Sequence, residues 1–351
     1  MKFGVCVSSL RDVDLIVRAE KLGYDFCWAP DSQMIYANPF VVLALAAQRT
    51  HSIRLGTGLA IAGLRLAPAL ANGIATVNQL APGRVFLGVG TGNTAMRTIG
   101  QRPMPIAPFR DYLHVVRELL HGNEVEFAFD GSSSLTRFQN PDLLPGEHGP
   151  IPIHVGGIGP RAQRLAGEVG DTLVTSLPRG GTITEIRDRV AAGGAGRDLA
   201  EFEIHALMNL LLLEPGETLS SQRAIQQCGS AIMANVHYLV DLHRDSGADP
   251  PTYVQPIWDD YLAFHATRDE QHSHQLLHQS HYAYLDPDEA RFITPEIIRN
   301  FCLAGQPHEI VERLHELERQ GLHGVNFALP TDTAAAIVET FASQVIDRYD
   351  E

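Results

Sequence analysis

The sequence predicts a (β/α)8 TIM barrel, and three observations carry that reading. β-like and helix-like segments alternate at a spacing of roughly 25 to 45 residues, the pattern of βα units on a parallel sheet, and eight such units can be marked. Prolines at Asn38-Pro39, Ala67-Pro68 and Gly159-Pro160 punctuate helix starts, where a missing N–H costs nothing because first-turn donors have no intrahelical partner. Three strand ends run into glycine, as they must where a backbone approaches a ligand closely. A doubly wound open sheet is the competing architecture, since it uses the same units.

Taken in order, the expected strands are Phe3–Val7, Asp25–Ala29, Ile53–Thr57, Arg84–Gly88, Ile151–Val155, Thr172–Thr175, Glu203–Leu212 and Gly324–Leu329. The helices that follow are Asp12–Leu22, Pro39–Gln48, Pro68–Leu80, Phe109–His121, Pro160–Val169, Ile183–Ala192, Ser220–Asp245 and Thr333–Asp347. Two stretches break the repeat, so the chain is read as a single barrel domain over residues 1–351 with insertions at about 127–149 and 247–306. Both are expected at the active-site face, because insertions there shape substrate pockets.

The three glycine-bearing ends are Leu55-Gly56-Thr57-Gly58-Leu59, Phe86-Leu87-Gly88-Val89-Gly90-Thr91-Gly92-Asn93 and Val155-Gly156-Gly157-Ile158-Gly159-Pro160. On a barrel all three fall at the carboxyl ends of strands, which is where barrel active sites lie. The last opens a helix, whose free N–H groups and dipole suit an anion. The second lacks GxGxxG spacing and stands on the fourth strand, so it is not a Rossmann fingerprint.

Composition limits the function classes. At 351 residues and 44% hydrophobic the chain can bury a large core. A net charge of −14, a pI near 5.5 and no basic tract argue against a nucleic-acid partner. Cys6, Cys27, Cys228 and Cys302 are scattered without CxxC spacing and read as reduced thiols of a cytoplasmic protein. No leader is visible and no apolar run reaches the ~18 residues a membrane span needs. GxSxG, Walker and HExxH patterns are absent.

With the glycine loops at the ends of the third, fourth and fifth strands, the chain resembles the bacterial luciferase-like oxidoreductases, in the branch of methylenetetrahydromethanopterin reductase and the deazaflavin-dependent glucose-6-phosphate dehydrogenase. The likeness spans nearly the whole chain. It is carried by Phe3-Gly4-Val5, Ala19-Glu20-Lys21-Leu22-Gly23-Tyr24-Asp25, Trp28-Ala29-Pro30-Asp31, Ala75-Thr76-Val77-Asn78-Gln79-Leu80 and the three glycine ends. It implies a barrel that binds F420 or FMN in reduced form and either transfers hydride to, or monooxygenates, a small organic substrate. It also implies a homodimer and, for FMN, a separate flavin reductase; a separate F420 reductase is the counterpart for the deazaflavin.

The resemblance implies a cofactor-binding set of Gly58, Leu59, Gly90, Thr91, Gly92, Asn93, Gly156, Gly157, Ile158, Gly159 and Arg161, with a non-prolyl cis peptide at Gly58-Leu59 behind the ring. Asp31, Ser32 and Asn93 stand at the catalytic positions. Ser32 replaces the histidine of the dehydrogenase pattern and Asn93 its acid, so neither titrates near neutrality and that relative's proton chemistry does not carry over. A flavin-binding barrel without turnover is therefore an alternative.

Further candidates are weaker. His274, His278 and His281 would share a helical face, which raises a metal-dependent barrel hydrolase as a third reading, although Gln275 and Gln279 are poor ligands and no metal residue is assigned. Arg97 is placed to meet a phosphate or an anionic substrate, and Arg161 and Arg164 a phosphate or a polyglutamate-like tail. His154 reads as a barrel-interior residue, His205 and Asn209 share a strand face with Leu207, and Tyr282 and Tyr284 wall a pocket or fill a core.

Overall fold

Eight parallel strands close on themselves: Lys2–Cys6, Phe26–Ala29, Arg54–Thr57, Val85–Gly90, Ile153–Gly156, Thr172–Ser176, Glu203–Leu212 and Gly324–Phe327. Each pairs with the next in sequence, and the ring closes where Lys2 to Val5 lie opposite Gly324 to Phe327. The expected barrel is therefore present, and the open sheet is excluded by that last pairing. This computed structural model describes residues 1–177, 179–330 and 333–349.

Strand side chains alternate between two faces. Outward ones such as Val5, Cys27, Leu55, Val85, Leu87, Ile153, Val155 and Leu173 join the large core under the outer helices. Inward ones, Phe26, Trp28, Phe86 and Val174, fill the barrel together with two histidines. His154 stacks on Phe86 at 4.5 Å between centroids, and His205 meets Phe26 edge-on at 5.1 Å. His154 is thus the interior residue its strand position predicts. Asn209 lies further along its strand and donates to the carbonyl of Phe301 at 3.0 Å, outside the barrel interior.

The seventh unit departs from expectation. Its helix, observed as Gln222–Ser246, does not join the outer ring but buries Cys228, Ile232, Met233, Val236 and Val240 in a second core. That core is completed by the helices Gln255–Ala266 and Pro295–Phe301. The outer position is taken by Pro307–Gln320, whose Ile310, Leu314 and Leu317 enter the main core. Periodicity marked the helix of the seventh unit but not which core it would bury, and Pro307–Gln320 was not among the expected helices. A short strand, Cys302–Gly305, extends the sheet beside Asn209–Leu212 and anchors the excursion.

The stretch 127–149 is a correction. It follows a helix, Ile106–Leu120, and leads into the fifth strand, so it begins and ends at the amino-terminal end of the barrel. Its hairpin, Val125–Phe129 with Ser132–Thr136, contributes nothing to the opposite mouth.

Burial holds six histidines below their ordinary protonation range: His154, His205, His265 (about 4), His278, His281 and His323. An unfolded histidine binds its proton near pH 6.5 whereas these folded rings resist it, so protons favour the unfolded chain. Stability is accordingly expected to be full above about pH 6.5 and to fall as pH drops toward about 4. Glu20 and Glu203, held near 2 in the fold against burial by hydrogen-bond partners, add their own loss only below about 4.3. Urea midpoints measured at pH 7, 5.5 and 4.5 check this; equal midpoints would contradict it.

Candidate functional site

A cavity of ≈ 400 Å³ opens at the carboxyl ends of the strands, bounded below by the aromatic plug and above by the excursion after the seventh strand. All of the expected cofactor positions except Arg161 stand on its wall, as do Asp31 and Ser32. Arg161 and Arg164 are exposed on the first turns of the helix Pro160–Val169, and Ala162 is the residue of that turn that faces inward. A wider cleft of ≈ 750 Å³ lies on the flank around Arg223, Gln306 and Thr340, but none of its walls carries a buried polar atom lacking a partner.

The second strand delivers Trp28 and Asp31. Asp31 is buried and held by Arg65 through both oxygens, Nη2 reaching Oδ1 at 3.2 Å, while the Ile61 N–H donates to Oδ2 at 3.2 Å. Its carboxylate is thereby committed to fixing the loop after the third strand. That loop contains the expected cis peptide between Gly58 and Leu59. A Cβ on Gly58 would stand 2.6 Å from Trp28 Cβ, so the loop can lie against the indole only with glycine there.

The fourth strand ends in Gly90-Thr91-Gly92, and Gly92 adopts φ 83° to turn the chain into the short helix Asn93–Arg97. Asn93 reaches the wall with its amide already engaged: Nδ2 donates to Asp241 Oδ2 at 3.2 Å and Oδ1 accepts from Arg97 Nε at 2.9 Å. Arg97, in turn, pairs with Asp241 and Asp245. The anion role raised for Arg97 is therefore taken up within the protein.

The fifth strand runs through Gly156-Gly157-Ile158-Gly159 to the helix Pro160–Val169. A Cβ on Gly159 would meet nothing within 4 Å, so open space lies before free first-turn N–H groups. Gln163 ties this loop to the one after the sixth strand, donating to Ile158 O at 2.8 Å and Gly180 O at 2.9 Å. The sixth, seventh and eighth strands add Thr175, Ser176, Leu207 and Asn326, and the excursion adds Ala234, Tyr238, His281 and Tyr282.

Polar atoms buried on this wall lack partners: Trp28 Nε1, Thr175 Oγ1, both side-chain amide atoms of Asn326, Arg179 Nε and His281 Nδ1. Buried donors and acceptors are normally satisfied, since leaving one unmade costs about 1–3 kcal/mol. Their convergence on one cavity marks a site shaped for a polar ligand. An isoalloxazine-type ring fits these observations: a flat apolar face against Leu59, Ile61 and Val174, polar atoms for its edge, and a glycine-lined helix start for a phosphate tail.

Sequence reasoning singled out neither Arg179 nor Asn326. Asn326 follows from strand alternation and Arg179 from its place after the sixth strand, but neither lies in a distinctive pattern. His281 was noted only within a histidine face that does not form. The helix there is Ser273–Leu276, too short to align three rings, and among the described residues no group of three His, Cys, Asp or Glu is placed to hold a metal. His278 instead pairs with Asp241 at 3.0 Å, Tyr282 walls the cavity, and Tyr284 is exposed. Among the described residues, no helix is long and apolar enough to cross a membrane.

Residues 9–324 match the profile of a family described as luciferase-like monooxygenase. The chain is similar to a 5,10-methylenetetrahydromethanopterin reductase of Archaeoglobus fulgidus, 26% identical over 336 residues that cover 92% of this chain and 91% of that one. It is similar also to an F420-dependent glucose-6-phosphate dehydrogenase of Beutenbergia cavernae, 26% identical over 73% of this chain and 87% of the other. Among solved structures, the coenzyme F420 dependent tetrahydromethanopterin reductase from Methanopyrus kandleri superposes with a TM-score of 0.67, at 20% identity and 99% coverage of both chains.

Proposed function

We propose, from the premise that this chain belongs to the luciferase-like monooxygenase family and is a flavin- or F420-dependent oxidoreductase, that its cofactor is F420 and its reaction a hydride transfer with a small organic substrate. The observation that carries the reading is the convergence of unpartnered polar atoms and a helix N-terminus on one cavity beside the Gly58-Leu59 peptide. The F420-dependent relative supports the deazaflavin over FMN.

Bound there, the deazaflavin supplies a two-electron hydride donor or acceptor. The protein's part is binding, orientation, exclusion of water and proton movement. The Gly157 N–H is spent on the Val174 carbonyl at 2.9 Å, so the N–H groups of Ile158 and Gly159 and the following helix start would hold the phosphate tail. Leu59 would back the ring, and the Asn326 amide, Trp28 Nε1 and Thr175 Oγ1 would fix its polar edge. Asp31 acts at one remove by pinning Ile61 and Arg65.

A hydride delivered to or taken from carbon at a C–O or C–N bond must be matched by a proton at the heteroatom. Ser32 does not titrate, Asn93 is committed, and Asp31 is paired. Thiols and phenols ionise above the neutral range, and burial pushes Cys6 up to about 12 and Tyr36 and Tyr282 further upward. Among the described wall residues His281 is the one imidazole. Burial, then His278, His237 and Arg179, depress its protonation, so it rests neutral and is ready to accept a proton. His281 is assigned the proton step.

Anaerobic titration with F420, reduced F420, FMN and FMNH2, read by ring absorbance and fluorescence, tests the cofactor. Micromolar affinity for F420 with no oxygen consumption is expected. Preferential FMNH2 binding with oxygen uptake would move the chain to the monooxygenase branch, and no binding of any would overturn the reading.

A further inference from the structure

Among the described residues, the Arg179 guanidinium has no anionic partner. It projects from the loop after the sixth strand onto the cavity wall, with Nη2 donating to Ser176 Oγ at 3.2 Å and Cζ lying 4.8 Å from the Tyr238 ring centroid. Nε is buried and unpartnered. No aspartate or glutamate among the described residues stands within ion-pair distance of it, although the chain carries 41 acidic residues against 27 basic ones. Withdrawing a cation from water without a counter-charge is costly, and a ligand that brings one relieves the cost.

We propose that Arg179 receives the carboxylate of the substrate, so that the enzyme acts on a small organic acid bound between the cofactor and the excursion after the seventh strand. The reaction part of this statement rests on the oxidoreductase reading above; the binding part does not. Three features select a substrate carboxylate over the cofactor's phosphate. The phosphate would have its place at the Ile158 and Gly159 N–H groups and the helix start. Arg179 instead faces Tyr238 and Tyr282, which belong to the excursion that roofs the cavity. Finally, a single guanidinium matches one negative charge and offers the parallel N–H edge that a planar carboxylate accepts.

Position supports the assignment. The loop carrying Arg179 is fixed by Gln163 and Arg189, which both donate to Gly180 O, at 2.9 and 3.1 Å. His281 is close enough for the Arg179 charge to oppose its protonation. A carboxylate on Arg179 therefore brings the rest of a small acid within the same roofed space as the group assigned the proton.

Calorimetric titrations of glycolate, its neutral amide glycolamide and inorganic phosphate into protein saturated with oxidised F420, at low ionic strength, test this. Wild type, Arg179→Gln and Arg179→Lys are compared, and F420 affinity is measured for each. Glycolate is expected to bind in the millimolar range and at least about tenfold tighter than glycolamide or phosphate. Arg179→Gln should weaken glycolate about tenfold or more while F420 affinity stays within about threefold, and Arg179→Lys, which keeps the charge but not the fork, should fall between. Wild type that ignores glycolate, glycolate bound equally well by Arg179→Gln, or phosphate preferred over glycolate would each overturn the proposal. A tenfold loss of F420 affinity in Arg179→Gln with glycolate unchanged would give Arg179 to the cofactor phosphate instead. If no protein binds F420, the cofactor reading fails, and the same glycolate comparison is then read on the free protein.

Discussion

Asp31→Ala is expected to destabilise the fold by about 3 kcal/mol and to weaken F420 binding by at least about tenfold. Breaking a buried ion pair from one side costs about 3–5 kcal/mol because the remaining charge is left uncompensated. The Asp31 side chain is 2% exposed and Arg65 is 20% exposed, so residual hydration of the guanidinium places the loss at the low end of that range. The Ile61 N–H loses its acceptor as well, which releases the segment next to the cis peptide. Asp31→Asn keeps an acceptor for both partners and should lose roughly half as much. Urea denaturation of the two variants, with F420 fluorescence titration of whatever folds, gives the comparison. Losses under about 0.5 kcal/mol for both, within the range of ordinary surface substitutions, would mean that Asp31 does not anchor this loop.

His281→Gln is expected to leave F420 affinity within about threefold while lowering kcat by about 10²–10⁴, the usual worth of a positioned general acid or base. The wild-type pH profile of kcat/KM in the oxidation direction should show an acidic limb below about pH 6.5. The sign follows from the direction of the shift: the base works only when unprotonated, and its protonation range lies below the ordinary one. Burial sets that range first, followed by the charges of His278 on its own segment, His237 on the helix Gln222–Ser246 and Arg179 across the cavity, while the Tyr282 ring meets His281 edge-on. Tyr36, from the loop after the second strand, donates to the His281 carbonyl at 2.8 Å and fixes the backbone. In His281→Gln that acidic limb should vanish together with the rate. A variant that keeps wild-type turnover would return the proton step to solvent or substrate and revive the idea of a barrel whose own side chains do no chemistry.

Local patterns made the barrel and half of its mouth legible. Alternation in strands, proline at helix starts and glycine at strand ends are properties of neighbours in sequence, and the loops containing Gly58, Gly90 to Gly92 and Gly156 to Gly159 all reach the cavity as expected. The roof was legible only as an insertion at 247–306 expected at the active-site face; which of its side chains line the cavity was not. His281 and Arg179 stand 102 positions apart and meet only because the helix Gln222–Ser246 buries its apolar face in a second core rather than on the barrel, which folds the excursion back over the strand ends. The amphipathic pattern of that helix is satisfied equally by either core, so nothing in its periodicity decides between them.

The same distinction separates position from availability. Strand order placed Asp31 and Asn93 at the mouth, but whether a polar group is free to act depends on who else reaches it. Arg65 and the Ile61 N–H occupy Asp31; Asp241 and Arg97 occupy Asn93; among the described residues no carboxylate occupies Arg179. The sequence by itself determined the barrel and its glycine-lined mouth, because these rest on backbone geometry encoded locally, while F420 or FMN was implied only by the family resemblance. The tertiary structure alone decided which side chains keep unspent charge, protons and hydrogen bonds for a ligand, because each of those is settled by a partner from a distant part of the chain.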